Sequence, residues 1–345
     1  MTNIMKAAVL HEPKDLRVDN VPVPEIKEDE VLIQVKACGI CGTDPHIFNG
    51  HFPAPTPLIL GHEFVGVVAE VGKDVQNIKV GDRATADINI SCGTCYFCRM
   101  GQKLFCKDIV QLGVHVNGAF AEYIKAPGAN VYVLPEEMTW EEGAYIEPLA
   151  CAIRGQDRAN ITMGSTVAII GAGPMGLVHA LLSKLNGASN IIISELNQSR
   201  IKKARELGID HVIDASEQDP IHVVKQLTDG RGADFVIEAV GSIPTYKQAF
   251  EMVRRGGTLV TYGAAPANAT MELKPFDIYS KELTIVGSYA GTYDTWVKAI
   301  QLISSKRFKP MDIITKSIPL DQVVEGIQEA IHNKDTIKIV VKTEN

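Results

Sequence analysis

The sequence has no apolar run of the ~20 residues needed to cross a bilayer, and its amino terminus, Met1-Thr2-Asn3-Ile4-Met5-Lys6, carries no apolar signal core. Both absences point to a cytoplasmic chain with no membrane partner. Basic residues are in the minority: 34 Lys and Arg stand against 41 Asp and Glu, a net charge of -7, and no basic run stands out. That balance argues against nucleic acid as the main partner. There is also no internal repeat, no low-complexity stretch and no long flexible linker, which excludes solenoid and tail-like architectures.

What is present fits an ordinary soluble globular composition, 46% hydrophobic and 22% charged over 345 residues, and that length suggests two domains, each able to bury its own core. The most informative stretch is Thr166–Gly176. Four apolar residues, Val167 to Ile170, run into Gly171-Ala172-Gly173-Pro174-Met175-Gly176, and Leu177, Val178, Ala180, Leu181 and Leu182 then read as the apolar side of a helix. A short unbroken apolar run bounded by glycine is the pattern of a strand buried on both faces. Gly171 permits the tight turn, Gly173 lets the backbone approach a pyrophosphate, and Gly176 lets helix and strand pack closely, with phosphates on the free N–H groups of the helix N-terminus. A second run, Ile191–Ile193, ends in Ser194-Glu195. Glu195 stands at the position, roughly 20 residues on, where a carboxylate accepts hydrogen bonds from the adenosine ribose.

Up to about Gly128 the chain is rich in short strand signals, such as Val31–Val35 and Phe64–Val71, closely punctuated by turns such as Val80-Gly81-Asp82-Arg83. This predicts an irregular, barrel-like β domain. From about Gly164, apolar runs at Val167–Ile170, Ile191–Ile193, Phe235–Ala239 and Thr258–Tyr262 alternate with helical stretches, the pattern of a doubly wound parallel sheet. After about Ser288 a helical pattern leads to a terminal strand, Ile337–Val341, which periodicity alone assigns to neither domain.

Seven cysteines are unevenly placed. Cys92, Cys95, Cys98 and Cys106 are four closely spaced thiolates, suited to a closed tetrahedral zinc site with a structural role; an iron–sulfur cluster or a redox dithiol is the alternative, weakened by the long last gap and the absence of proline after Cys106. A second constellation, Cys41-Gly42-Thr43-Asp44-Pro45-His46 with Gly61-His62-Glu63, mixes thiolate, imidazole and carboxylate with too few protein ligands to close a site, as in catalytic zinc. Its alternative is a plain turn with Cys41 as a small buried hydrophobe. Zinc beside a nicotinamide is chemically coherent, because a Lewis acid eases ionisation of the alcohol that gives up the hydride.

On these motifs, together with Ile146-Glu147-Pro148, the chain resembles the zinc-containing medium-chain dehydrogenases from end to end, near the sorbitol-type polyol dehydrogenases and with threonine dehydrogenases close by. The resemblance implies an α/β protein: a GroES-like β-rich catalytic domain over residues 1–150 and 290–345, with a zinc lobe at about 90–108, interrupted by a Rossmann domain over 151–289. It implies two zinc ions per subunit, one catalytic and one structural. Cys41, His62, Glu63 and Glu147 are then ligands of the first, the two carboxylates directly or through water, and the cysteine lobe holds the second. It further implies a relay in which the substrate proton passes to Thr43 and, by way of the nicotinamide ribose, towards His46, while Asp44 orients the histidine ligand. Homotetramers or homodimers are implied by the family alone.

Gly171, Gly173, Pro174, Met175, Gly176, Glu195 and Arg200 form the expected cofactor contact set, and Glu195 favours NAD because its carboxylate repels a ribose 2′-phosphate. Arg200 leaves NADP as the alternative. Glu238-Ala239-Val240-Gly241 and Tyr262-Gly263-Ala264 fall at strand ends that face the cofactor crevice. The expected reaction is oxidation of a polyol secondary alcohol to the ketose; threonine, a small diol or a sugar phosphate is the alternative substrate, and a non-catalytic NAD(H)-binding protein the alternative class. Pro45 departs from the family pattern by fixing φ and removing a donor immediately before His46. Phe48, His51 and Phe52 follow in the region where the family lines its substrate pocket.

Overall fold

The computed structural model describes residues 4–343; Met1–Asn3, Glu344 and Asn345 lie outside the described residues. Two compact units divide the chain. One runs up to Ala150 and resumes at Thr292; the other is Cys151–Gly291.

The first unit is organised on the strand Glu30–Gly39, where Val31, Ile33 and Val35 are fully buried. It pairs antiparallel with Glu63–Val71, Tyr123–Pro127 and Lys338–Lys342. The resulting seven-stranded sheet also holds Val131–Val133, Arg83–Ala86 and Ile314–Pro319. Gly66 is required at the central pairing, since a Cβ there would lie 2.0 Å from the Gln34 carbonyl oxygen. A three-stranded sheet of Asp15–Pro22, Ile4–Glu12 and Leu58–Ile59 stands beside it. One segment ties the two together: Ala8 N donates to Phe120 O, and Val35 N to Glu122 O. The terminal strand, which periodicity left unassigned, therefore belongs to this unit, and Ile318, Val323, Ile327, Ile339 and Val341 share its core with Val31, Ile33, Phe64 and Phe120.

The second unit is a six-stranded parallel sheet in the order His211–Asp214, Asn190–Glu195, Thr166–Ile170, Ala233–Glu238, Val253–Thr261, Thr284–Gly287. Crossover helices join successive strands, among them Pro174–Leu185, Gln198–Glu206 and Ile243–Met252. The order reverses between Thr166–Ile170 and Ala233–Glu238, which makes that point the switch at which ligands bind in doubly wound sheets. The expected strand at Thr258 begins earlier, at Val253, with a register shift opposite Ala233 and Phe235. His211–Asp214, Ile314–Pro319 and Thr284–Gly287 carry weaker sequence signals: each is short, and the last is a largely exposed edge strand without a buried face to produce alternation.

Candidate active site

Two glycines shape the first site. Gly39 ends its strand where a Cβ would lie 2.1 Å from Glu63 Oε2, so the missing side chain makes room for that carboxylate. Gly61, at φ +88°, turns the chain where a Cβ would meet Phe120 at 2.7 Å, and delivers His62 and Glu63 to the head of the next strand. Cys41 follows Ile40, whose N donates to Ile339 O at 2.9 Å and whose O accepts from Lys338 Nζ at 2.9 Å. The result is convergence: the ligand atoms of Cys41, His62 and Glu63 all lie within 4.8 Å of one another, with His62 and Glu63 buried.

Asp44 is fully buried and its Oδ2 accepts from Cys41 N at 2.8 Å. Its other oxygen and His62 Nδ1 face each other at 3.6 Å, both buried and without a hydrogen-bond partner at that length. This places the carboxylate beside the imidazole nitrogen. Glu147, 6% exposed at the start of the helix Ile146–Ala159, stands outside the tight trio, but its charge acts on His62 and Lys338. Burial pushes the Asp44 carboxyl up. Burial alone would depress His62, but the neighbouring Cys41 and Asp44 outweigh it and hold the imidazole well above its usual range.

Sequence reasoning missed Lys338. Its ammonium is buried, forms an ion pair with Glu63 and donates to Ile40 O. Burial disfavours its charge, yet Glu63 and Cys41 raise its pKa. The available signal was a lysine inside the apolar run Ile337–Val341, because lysine is almost never fully buried unless paired. Tyr145, 1% exposed with its ring 5.9 Å from that of Phe308, was missed as well; burial first and then Glu63 hold its phenol well above the usual value.

The proposed relay residues lie on the short helix Thr43–Phe48. Thr43 Oγ1 is 3.6 Å from Cys41 Sγ, and His46 is exposed. Pro45 occupies the first turn of this helix, where an N–H has no intrahelical acceptor, so the helix accommodates it. Phe48 belongs to the core, whereas His51 and Phe52 are exposed.

The cysteine lobe is built differently. Cys92, Cys95, Cys98 and Cys106 converge within 4.8 Å. The Cys95–Cys98 and Cys92–Cys98 sulfurs are 3.5 Å and 4.0 Å apart, bracketing the about 3.8 Å edge of a tetrahedron with ~2.3 Å zinc–sulfur bonds. The Thr94 amide is the main group holding the Cys92 thiol down to about 6, while Cys106, although it accepts from the Cys92 amide, is pushed up to about 11 by burial and its sulfur neighbours. The hairpin Asn89–Ile90 with Val110–Gln111 closes the base of the lobe.

In the second unit, Gly171 adopts φ +96° and a Cβ on Gly176 would lie 1.8 Å from Gly171 O, so both positions exclude a side chain. Gly173 caps the helix Pro174–Leu185, with Pro174 and Met175 opening its first turn, and the only atom near a Cβ there is Arg200 Nη1 at 3.6 Å. Glu195 is held by three backbone donors, Ala172 N at 2.8 Å, Leu196 N at 2.7 Å and Asn197 N at 3.0 Å, with Arg200 Nη1 3.9 Å away. Glu238, fully buried, accepts from Val240 N and Gly241 N.

Both implied groups fit these residues. A thiolate, an imidazole and buried carboxylates, with two orphaned polar atoms behind them, suit a divalent metal of zinc type. A glycine cradle at a helix N-terminus beside a fixed carboxylate suits a dinucleotide.

Comparison with known proteins agrees. Residues 27–136 match the alcohol dehydrogenase GroES-like domain and residues 174–305 the zinc-binding dehydrogenase domain. The chain is 36% identical to sorbitol dehydrogenase of Bacillus subtilis, over 98% of this chain and 97% of that protein. It is 35% identical to L-threonine 3-dehydrogenase of Rhizobium johnstonii, over 99% of each. Among solved structures it is similar to a zinc-binding dehydrogenase of Sinorhizobium meliloti bound to NADP, with a TM-score of 0.94 and 36% identity over 98% of this chain and 99% of that one.

Proposed function

The chain belongs to the zinc-containing medium-chain alcohol and polyol dehydrogenase family, and from that premise we propose that it oxidises a secondary alcohol of a polyol to the ketone, giving a ketose, with NAD as the hydride acceptor. The observation that carries this reading is the convergence of Cys41, His62 and Glu63 beside Glu147 and the Thr43 hydroxyl. Cys41, His62 and Glu63 would hold zinc, with Glu147 completing the set directly or through water, and the four cysteines would hold a second, structural zinc. When bound, the catalytic ion would supply Lewis acidity that eases loss of the substrate's hydroxyl proton, and the nicotinamide would take the hydride. Thr43 accepts that proton, Asp44 keeps the His62 ring in place, and the exposed His46 releases the proton to solvent. Lys338 offsets the charge of Glu63 in the buried shell.

The catalytic domain is assigned to residues 1–150 and 290–345 and the dinucleotide domain to 151–289, a division supported by the two compact units. Gly171, Gly173, Pro174, Met175, Gly176, Glu195 and Arg200 would form the cofactor contacts. Support for NAD comes from Glu195, a carboxylate fixed by three amide partners that would repel a ribose 2′-phosphate. The relative bound to NADP makes the second cofactor the necessary control. The exposed edge strand Thr284–Gly287, flanked by exposed Phe276 and Tyr279, supports a homodimer or homotetramer. A reducing cytoplasm would keep the five ligand thiols, Cys41, Cys92, Cys95, Cys98 and Cys106, free of disulfides.

A second substrate reading, L-threonine, is favoured by the threonine dehydrogenase relative. One experiment separates these readings: NADH formation from a panel of polyols, diols, sugar phosphates and L-threonine, run with NAD and NADP in parallel. Turnover of a polyol with NAD is expected. Selective turnover of L-threonine, or a preference for NADP, would overturn the substrate or cofactor assignment respectively.

A further inference from the structure

His51 is a second imidazole held beside the last residue of the relay. The rings of His46 and His51 lie 6.2 Å apart between centroids, at 51° to one another. The turn that joins them is fixed: His51 N and Phe52 N both donate to His46 O, at 2.9 Å and 3.2 Å, and Lys14 N donates to Phe48 O at 2.7 Å. Gly50, at φ +74°, lies against Pro13, where a Cβ would meet its ring at 3.2 Å. The backbone therefore holds the two exposed histidines as neighbours.

Resting on the relay reading above, we propose that His51 is a positioning residue of that relay, whose ring keeps His46 in the neutral, proton-accepting form under mildly acidic conditions. A positive charge on His51 at this separation makes a proton on His46 less favourable. Burial of part of the ring, and next the charge of His51, lower the pKa of His46. Other titratable groups come from the elements around it. The hairpin turn brings Glu12 and Lys14. The helix Val323–His332, packed against Thr43–Phe48, brings Glu325, Glu329 and His332, and Glu329 is already engaged by Lys316 and Thr336. Asp44, on the same short helix, faces His62 instead. The charge that acts on His46 is that of His51. Only a neutral His46 accepts the proton, so a neighbour that disfavours its protonation extends alcohol oxidation to lower pH.

The test compares His51→Gln with the native, zinc-loaded enzyme, using kcat/KM for alcohol oxidation across pH 5.5 to 9.5 and, independently of turnover, the rate at which diethyl pyrocarbonate modifies His46, followed by peptide mass spectrometry. The reagent attacks only neutral imidazole. In His51→Gln the acidic limb should move to higher pH, with a loss of kcat/KM at pH 6 about two- to threefold greater than at pH 9, as expected for one charge removed at ~6 Å in a water-rich setting. The midpoint of His46 modification should rise with it. Protection of the buried His179 from the reagent reports that the variant is folded. If both the limb and the modification midpoint stay in place, the proposal is overturned. His46→Gln separates the two readings: if that variant keeps the native profile, the relay reading itself fails, whereas a changed His46→Gln profile with an unchanged His51→Gln profile defeats only the role of His51.

Discussion

The lobe at Cys92–Cys106 takes all four of its sulfurs from one stretch of chain, and its ligands range from exposed to buried. The site at Cys41 draws on the end of one strand, the head of another, a helix start at Glu147 and a lysine from the terminal strand, and nearly all of it is buried. The first is closed by local turns, so its geometry depends on few other parts of the fold. The second is closed by the sheet itself: Glu63 pairs opposite Gly39, and Val340 pairs opposite that same glycine from the far end of the chain. A local site can supply stability on its own account, whereas an assembled one takes its precision from the fold and places buried charge within it.

Breaking the local site should cost the most stability. Cys95→Ala removes one corner of a four-thiolate set, and structural zinc sites contribute folding energy outright. A loss of about 5 kcal/mol or more is expected, seen as a lower melting temperature with one zinc fewer per chain. An unchanged melting temperature and zinc content would show that the lobe holds no structural metal. Cys41→Ser breaks the assembled site instead. Activity should fall by about 10^3-fold, while the melting temperature moves little, because strand pairing and not the ligand set holds this region. Normal turnover in this variant would refute the catalytic assignment.

Lys338→Met probes what the assembled site costs the fold. Truncating one partner of a buried ion pair leaves the other charge uncompensated, at about 3 kcal/mol. Bound zinc supplies a second positive neighbour for Glu63, so the loss should be larger in chelated protein than in zinc-loaded protein. Thermal melts with and without chelator measure this, and equal losses in both states would mean that Glu63 does not face the metal.

This contrast also explains what was legible in the sequence. The four cysteines and Gly171–Gly176 are short-range signals in which spacing alone encodes geometry, and the parallel sheet follows from unbroken apolar runs such as Val167–Ile170. Cys41, His62 and Glu63 were legible as residue types, but their convergence depends on the pairing of Glu30–Gly39 with Glu63–Val71, which no local pattern states. Lys338 and Tyr145 escaped because each looks like part of an ordinary apolar segment until the fold brings it against Glu63. The edge strand Thr284–Gly287 escaped for the opposite reason: it has no buried face to leave a periodic mark.

Glu142 joins the two plans in one side chain and gives the smallest effect. One oxygen accepts from Thr139 N at 3.0 Å, completing a capping box over the four residues from Thr139 to Glu142, and the other accepts from Lys306 Nζ at 2.7 Å, across the interruption in the first unit. A double-mutant cycle of Glu142→Gln with Lys306→Met separates the long-range contribution from the local cap. Because the lysine is half-exposed, the coupling should be only about 0.5–1 kcal/mol. Burial favours the protonated carboxyl, but Lys306 and Thr139 outweigh it and depress the pKa below the ordinary glutamate value of 4.5. A depressed folded-state pKa gives stability that is complete above the unfolded value and lost as pH falls through the folded one. The coupling should therefore be constant at neutral pH and disappear on acidification below that ordinary value. A coupling that persisted in acid would show that the contact between Glu142 and Lys306 is packing of the lysine stem and not charge.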